Sequence, residues 1–90
     1  GSNRIVMRTE GERVIVSADT SAGKAREEVE IIRDGDDIEI AFNAKYLQEV
    51  LGALDSEGVR LELTGQLNPG LVRPVDGADY LYVIMPMQIV

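Results

Sequence analysis

Ninety residues with no cysteine and no histidine make one small domain held by packing alone: no disulfide staples it, and both the usual neutral-pH base and the commonest metal-binding nitrogen are missing. Nine Lys and Arg against sixteen Asp and Glu leave a net charge of -7, which excludes a chain that captures nucleic acid by its own field. No apolar run is long enough to cross a bilayer and no basic-then-apolar leader opens the chain, so a cytoplasmic protein away from membranes is expected.

Gly1-Ser2 reads as a remnant of expression, ahead of a domain spanning 3–90. Ile5-Val6-Met7 and Val14-Ile15-Val16 are β-prone runs joined by Thr9-Glu10-Gly11-Glu12, where Gly11 supplies the positive φ of a tight hairpin. A loop follows at 19–23, and a third strand over 24–33 carries Val29, Ile31 and Ile32 beside Glu27, Glu28 and Glu30. After the turn Asp34-Gly35-Asp36-Asp37, Ile38, Ile40 and Phe42 alternate with Asp37, Glu39 and Ala41, the period of a strand with one buried face. These four strands are expected in meander order.

At Asn43 the period changes. Tyr46, Leu47, Val50, Leu51 and Leu54 recur at spacings of three and four, the mark of an amphipathic helix, and Asn43 is suited to cap its first amides. Gly52 inside it costs roughly 0.8–1 kcal/mol relative to alanine. The helix is expected to stop near Asp55-Ser56-Glu57-Gly58, with Gly58 left-handed. Val59, Leu61 and Leu63 alternate with Arg60, Glu62 and Thr64 in the next strand, Asn68-Pro69-Gly70 signals a turn, and Leu71-Val72-Arg73 is a short strand ended by Pro74. Asp76-Gly77-Ala78-Asp79 turns the chain into a terminal apolar strand over 80–90.

That last strand contains Met85-Pro86-Met87. Proline cannot donate to a ladder, so its two methionine neighbours belong at a sheet edge or just beyond it, where pliable thioether side chains suit a docked peptide; the plainer reading is a strand that closes the core. Other candidates for chemistry are weak. Asp34, Asp36 and Asp37 lack the twelve-residue loop and closing glutamate of a calcium site and read as a solvated turn, and no metal or cofactor is expected. Ser17, Ser21 and Ser56 have no histidine partner and no glycine-flanked elbow, so no enzyme is expected. Glu27, Glu28 and Glu30 form a wet strand face or an acidic surface for a basic partner, while the arginines are scattered rather than gathered into a patch.

Phe42-Asn43-Ala44-Lys45-Tyr46-Leu47 with Val50-Leu51-Gly52-Ala53-Leu54, then Val59-Arg60-Leu61-Glu62-Leu63-Thr64, and above all Tyr82-Val83-Ile84-Met85-Pro86-Met87 closely resemble the C-terminal domain of the bacterial DNA polymerase III β subunit, the replicative sliding clamp. The likeness runs from about Asn3 to the end. It implies an α+β, DNA-clamp-like domain: a mostly antiparallel sheet of about seven strands with one helix. A family domain also opens with a strand and a helix that have no counterpart here, so the face of Tyr46, Leu47, Val50, Leu51 and Leu54 is expected to lack a packing partner and to invite self-association.

Clamps of this family are head-to-tail homodimers of three-domain protomers that ring duplex DNA and make or break no bond. The resemblance implies a hydrophobic pocket for linear motifs of polymerase, clamp loader and repair proteins, carried here by Leu67, Val83, Met85, Pro86, Met87, Gln88 and Ile89. Gln88 stands where many relatives have arginine. Lys45 is the candidate for facing the duplex. Two other readings of the chain are a free-standing peptide-binding module without DNA encirclement, and a metal-dependent hydrolase using the aspartates at 34–37.

Overall fold

A computed structural model describes residues 4–20, 23–54, 58–75 and 80–89; the turns expected at 55–57 and 76–79 lie outside them, as do Gly1-Ser2, Asn3, Ser21 and Val90. In order the elements are β1 (Arg4–Glu10), β2 (Arg13–Thr20), β3 (Gly23–Glu30), β4 (Glu39–Asn43), α1 (Ala44–Ala53), β5 (Val59–Glu62), β6 (Gly70–Pro74), β7 (Tyr82–Ile84) and β8 (Pro86–Met87). They form a five-stranded sheet, β3-β2-β1-β4-β8, and a three-stranded sheet, β5-β6-β7, with every pairing antiparallel. The α+β class stands, with eight strands among the described residues where about seven were expected.

The β1–β2 hairpin forms as its sequence dictates. Glu10 pairs with Arg13 across a two-residue loop in which Gly11 has φ +62°, and among the described residues none other than glycine has positive φ, which fits a type II′ turn. The meander, however, is broken. β4 pairs with β1 instead of β3, because that register sets Phe42 opposite Ile5 and Ile40 opposite Met7, apolar against apolar on the inner face. β3 offers no such match, since Glu27, Glu28 and Glu30 occupy its second half. It is left as an edge strand exposed along its whole length, ending at Glu30 before Ile31 and Ile32. Glu28 is drawn into ion pairs with Arg26 at 3.4 Å and Arg13 at 3.7 Å, so part of its negative face is neutralised locally.

The core lies where the inner face of β1 and β4, the inner face of β6 and β7, and one side of α1 meet. Ile40, Phe42 and Val72 are fully buried there with Leu47, Leu54 and Ile84, and Ile5, Met7, Val50, Leu61, Leu63 and Tyr82 pack around them. The helical stripe is thus only half covered: Leu47 and Leu54 are buried, whereas Tyr46 and Leu51 are exposed. No helix among the described residues is long and apolar enough to cross a membrane.

Two glycines act differently from the turn roles their sequence context suggests. Gly58 does not adopt positive φ; the helix ends instead as Leu54 returns to extended backbone at φ -89°, ψ 109°, and the Gly58 carbonyl accepts the Val75 amide. Gly70 begins β6 and is buried, and a Cβ there would lie 2.9 Å from Leu63 Cδ2 and 3.2 Å from Phe42 Cζ. Leu63 can yield, but the enclosed Phe42 ring cannot. Gly70→Ala is therefore expected to cost about 1–3 kcal/mol through overpacking, read as a melting temperature lower by at least ~4 °C. An unchanged melt would show the ring has room to retreat.

Candidate docking site

The terminal stretch changes sheets at Met85. β7 pairs with β6, with Leu71 opposite Val83 and Val72 opposite Tyr82, while β8 pairs with β4, with Phe42 opposite Pro86 and Ala41 opposite Met87. The partners β6 and β4 belong to different sheets and Met85 belongs to neither strand, so the ladder breaks there and the chain kinks from one sheet into the other. Ile84 points into the core, leaving Val83 on the other face of β7 and Met85 at the kink 60% and 64% exposed. Pro86 is tolerated because β8 lies at the edge of its sheet, where a missing N–H costs no ladder bond to an outer strand.

α1 supplies the facing wall. The Asn43 carboxamide oxygen accepts from the amides of Lys45 at 2.9 Å and Tyr46 at 3.3 Å, closing the first turn as an N-cap. Tyr46, Glu49 and Val50, spaced three and four apart, then share one stripe. Between this stripe and residues 82–87 lies an open concavity of about 600 Å³, lined also by Asn43. Tyr46 and Val50 line it from the helix and residues 82–87 from the opposite side, mostly apolar side chains, with Asn43, Glu49 and the tyrosine hydroxyls as the polar groups among its lining residues. A hollow of this size and composition can take an apolar anchor and orient it with a few hydrogen bonds.

Removing the cap tests the helical wall. Asn43→Ala is expected to cost about 1 kcal/mol and lower the melting temperature by roughly 4–8 °C, while Asn43→Asp, which keeps an acceptor at the helix N-terminus, retains most of the stability. Thermal melts followed by circular dichroism separate the two.

Of the positions singled out in the sequence, Val83, Met85, Pro86 and Met87 come together on this concavity. Leu67, 66% exposed on the turn before β6, Gln88 and Ile89 are not part of its lining. Lys45 is exposed on the first turn of α1. Sequence reasoning missed Asn43, Tyr46, Glu49 and Val50 as wall residues, because a three-four spacing reads equally as core stripe or groove wall.

Elsewhere the chemistry is sparse. A second hollow of about 540 Å³ is bounded by Arg8, Thr9, Glu10, Asp37, Ile38 and Glu39, a mixed-charge rim around the point where Thr9 Oγ1 accepts the Ile38 amide at 2.8 Å. Asp34, Asp36 and Asp37 are exposed, and Asp37 is paired with Arg33. Among the described residues, no three of Asp, Glu, His or Cys gather as a metal site would require.

Comparison with known proteins gives the fold a family. The family model for the C-terminal domain of the DNA polymerase III beta subunit matches residues 1–88. The beta sliding clamp of Pseudomonas aeruginosa is 41% identical over 66 residues, covering 73% of this chain and 18% of the relative. The crystal structure of the DNA polymerase III beta subunit from Thermotoga maritima superposes with a TM-score of 0.92 at 27% identity, covering 100% of this chain and 25% of that one. A Pseudomonas aeruginosa sliding clamp solved bound to griselimycin gives 0.87 at 33% identity, over 96% of this chain and 24% of its own. The chain therefore spans about a quarter or less of the length of these relatives. With the eight antiparallel strands and one helix of its described residues and a sequence matched almost end to end, the chain belongs to the family formed by the C-terminal domain of the DNA polymerase III beta subunit.

Proposed function

We propose that this chain forms part of a ring-shaped sliding clamp that keeps the replicative polymerase on DNA, and that its concavity receives linear motifs from polymerase, clamp-loader and repair proteins. The observation that carries the reading is that Val83, Met85, Pro86 and Met87 line an open apolar hollow instead of closing into the core. Family membership supports the clamp, and a related sliding clamp solved bound to griselimycin supports a ligand-accepting surface on such clamps. In this reading Leu67, Gln88 and Ile89 form the outer rim of the docking surface. The whole protein is a homodimer, works in the cytoplasm and catalyses no reaction.

The net charge of -7 is compatible with that role. A closed ring retains duplex DNA by topology, so it does not need the many phosphate contacts that a free-standing binder uses. Lys45, exposed at the start of α1, is the group proposed to face the duplex.

A fluorescent peptide carrying leucine and phenylalanine anchors tests the docking role. Saturable binding is expected, weakened about 10-fold to 100-fold or more when an anchor is changed to alanine, since burying one such side chain is worth about 1.5–3 kcal/mol. Binding that does not saturate, or that ignores the anchors, overturns the reading.

A further inference from the structure

β8 is weakly held by its own ladder. It is two residues long, it lies at a sheet edge, only Ala41 and Phe42 pair with it, and one of its two residues is a proline without an amide hydrogen. Yet it carries Pro86 and Met87, part of the wall of the concavity. Something outside the ladder must keep it in place.

The candidate sits at the opposite end of the sequence. Arg4 Nη1 donates to the carbonyl oxygens of Gln88 at 3.0 Å and Ile89 at 2.8 Å, contacts that join positions 84 and 85 residues apart. The register makes this informative. Arg4 pairs with Asn43, and continuing the β4–β8 ladder beyond Met87 would carry Gln88 alongside Ile40. That point is about 14 Å from Arg4, three residues along and two strands across, too far for the guanidinium to reach. The tail must therefore leave the ladder after Met87 and bend back toward the strand end that carries Arg4.

We propose that Arg4 is a positioning residue for the docking surface: its guanidinium holds the bent tail after Met87, and through it fixes Pro86 and Met87 against the concavity. The functional half of this rests on the docking role proposed above. Charge-assisted bonds from one nitrogen to two successive carbonyls are strong and directional. They read backbone alone, so the hold is indifferent to which side chains occupy 88 and 89.

Two measurements decide it. In the free protein, Arg4→Met is expected to drop the backbone order parameters of Gln88 and Ile89 from folded values near 0.85 to below about 0.6, with Arg4→Lys in between. In titrations with the anchor peptide, Arg4→Met is expected to weaken binding about tenfold, the net worth of a strong hydrogen bond. The same substitution should weaken binding markedly less in a chain ending at Met87, which lacks these two acceptors, whereas a general structural defect would weaken both chains alike. Unchanged order parameters, or equal weakening in the full and shortened chains, overturn the proposal. Should the wild type take up no peptide at all, the docking role falls instead, and the order parameters still decide whether Arg4 holds the tail.

Discussion

Phe42→Ala is expected to unfold most of the protein or bring it to the edge of unfolding. Phe42 is fully buried, its ring lies against the position where a Gly70 Cβ would be, and its strand is the one bordered by both β1 and β8. Truncating a buried phenylalanine costs about 3–5 kcal/mol, the lost transfer energy plus the cavity left behind. A 90-residue domain has only on the order of 5–13 kcal/mol to lose. In urea the midpoint should fall by about 2–3 M at a slope near 1.5 kcal/mol per M. Phe42→Leu, which keeps most of the volume, should lose about 1.5 kcal/mol or less. A loss below about 1 kcal/mol for the alanine variant would mean that the ring is not at the packed centre of the fold.

Met85→Asp is the second large effect, and it falls on binding while sparing stability. Met85 is 64% exposed at the kink between β7 and β8, so a carboxylate there stays solvated in the free protein and should shift stability by no more than about 0.5 kcal/mol. A docked apolar anchor would strip that solvation, and the loss of methionine contact adds to it. Peptide affinity should drop at least about 30-fold, or roughly 2 kcal/mol. Met87→Asp is the less clean variant: Met87 is half-buried opposite the fully buried Ala41, so the charge would loosen β8 as well. Met85→Asp binding as tightly as the wild type would remove the concavity as the docking site, while Met85→Leu should bind nearly normally.

What could be read from the sequence was local. Asn43 followed by apolar residues at three-four spacing marked the start of α1, Gly11 between two β-prone runs marked the hairpin, and Pro86 placed its strand at an edge. What could not be read depended on partners far along the chain. Ile40 and Phe42 take β1 as their neighbour because Met7 and Ile5 match them across more than thirty residues, a preference invisible in β4 itself. In the terminal apolar stretch Pro86 marked an edge, but nothing there showed that the stretch divides between two sheets. Gly70 follows Asn-Pro and looks like a turn glycine, yet it is small because Phe42 approaches it. The concavity was half legible for the same reason: the methionine-proline strip announces itself, whereas Tyr46 and Val50 belong to a pattern shared by cores and grooves.

The crossing from one sheet to the other at Met85 also sets the order of events during synthesis. β1 and β4 can find one another once residue 43 has left the ribosome, but the second sheet gains its β7 edge, and the first gains β8, only when residues 82–87 emerge. Until residues 82–87 are clear of the ribosome, Ile40, Phe42 and Val72 lack the cover of Ile84, which leaves an intermediate with exposed apolar surface. Sealing of the core is thereby timed to the arrival of its final two strands rather than to the appearance of its first hairpin.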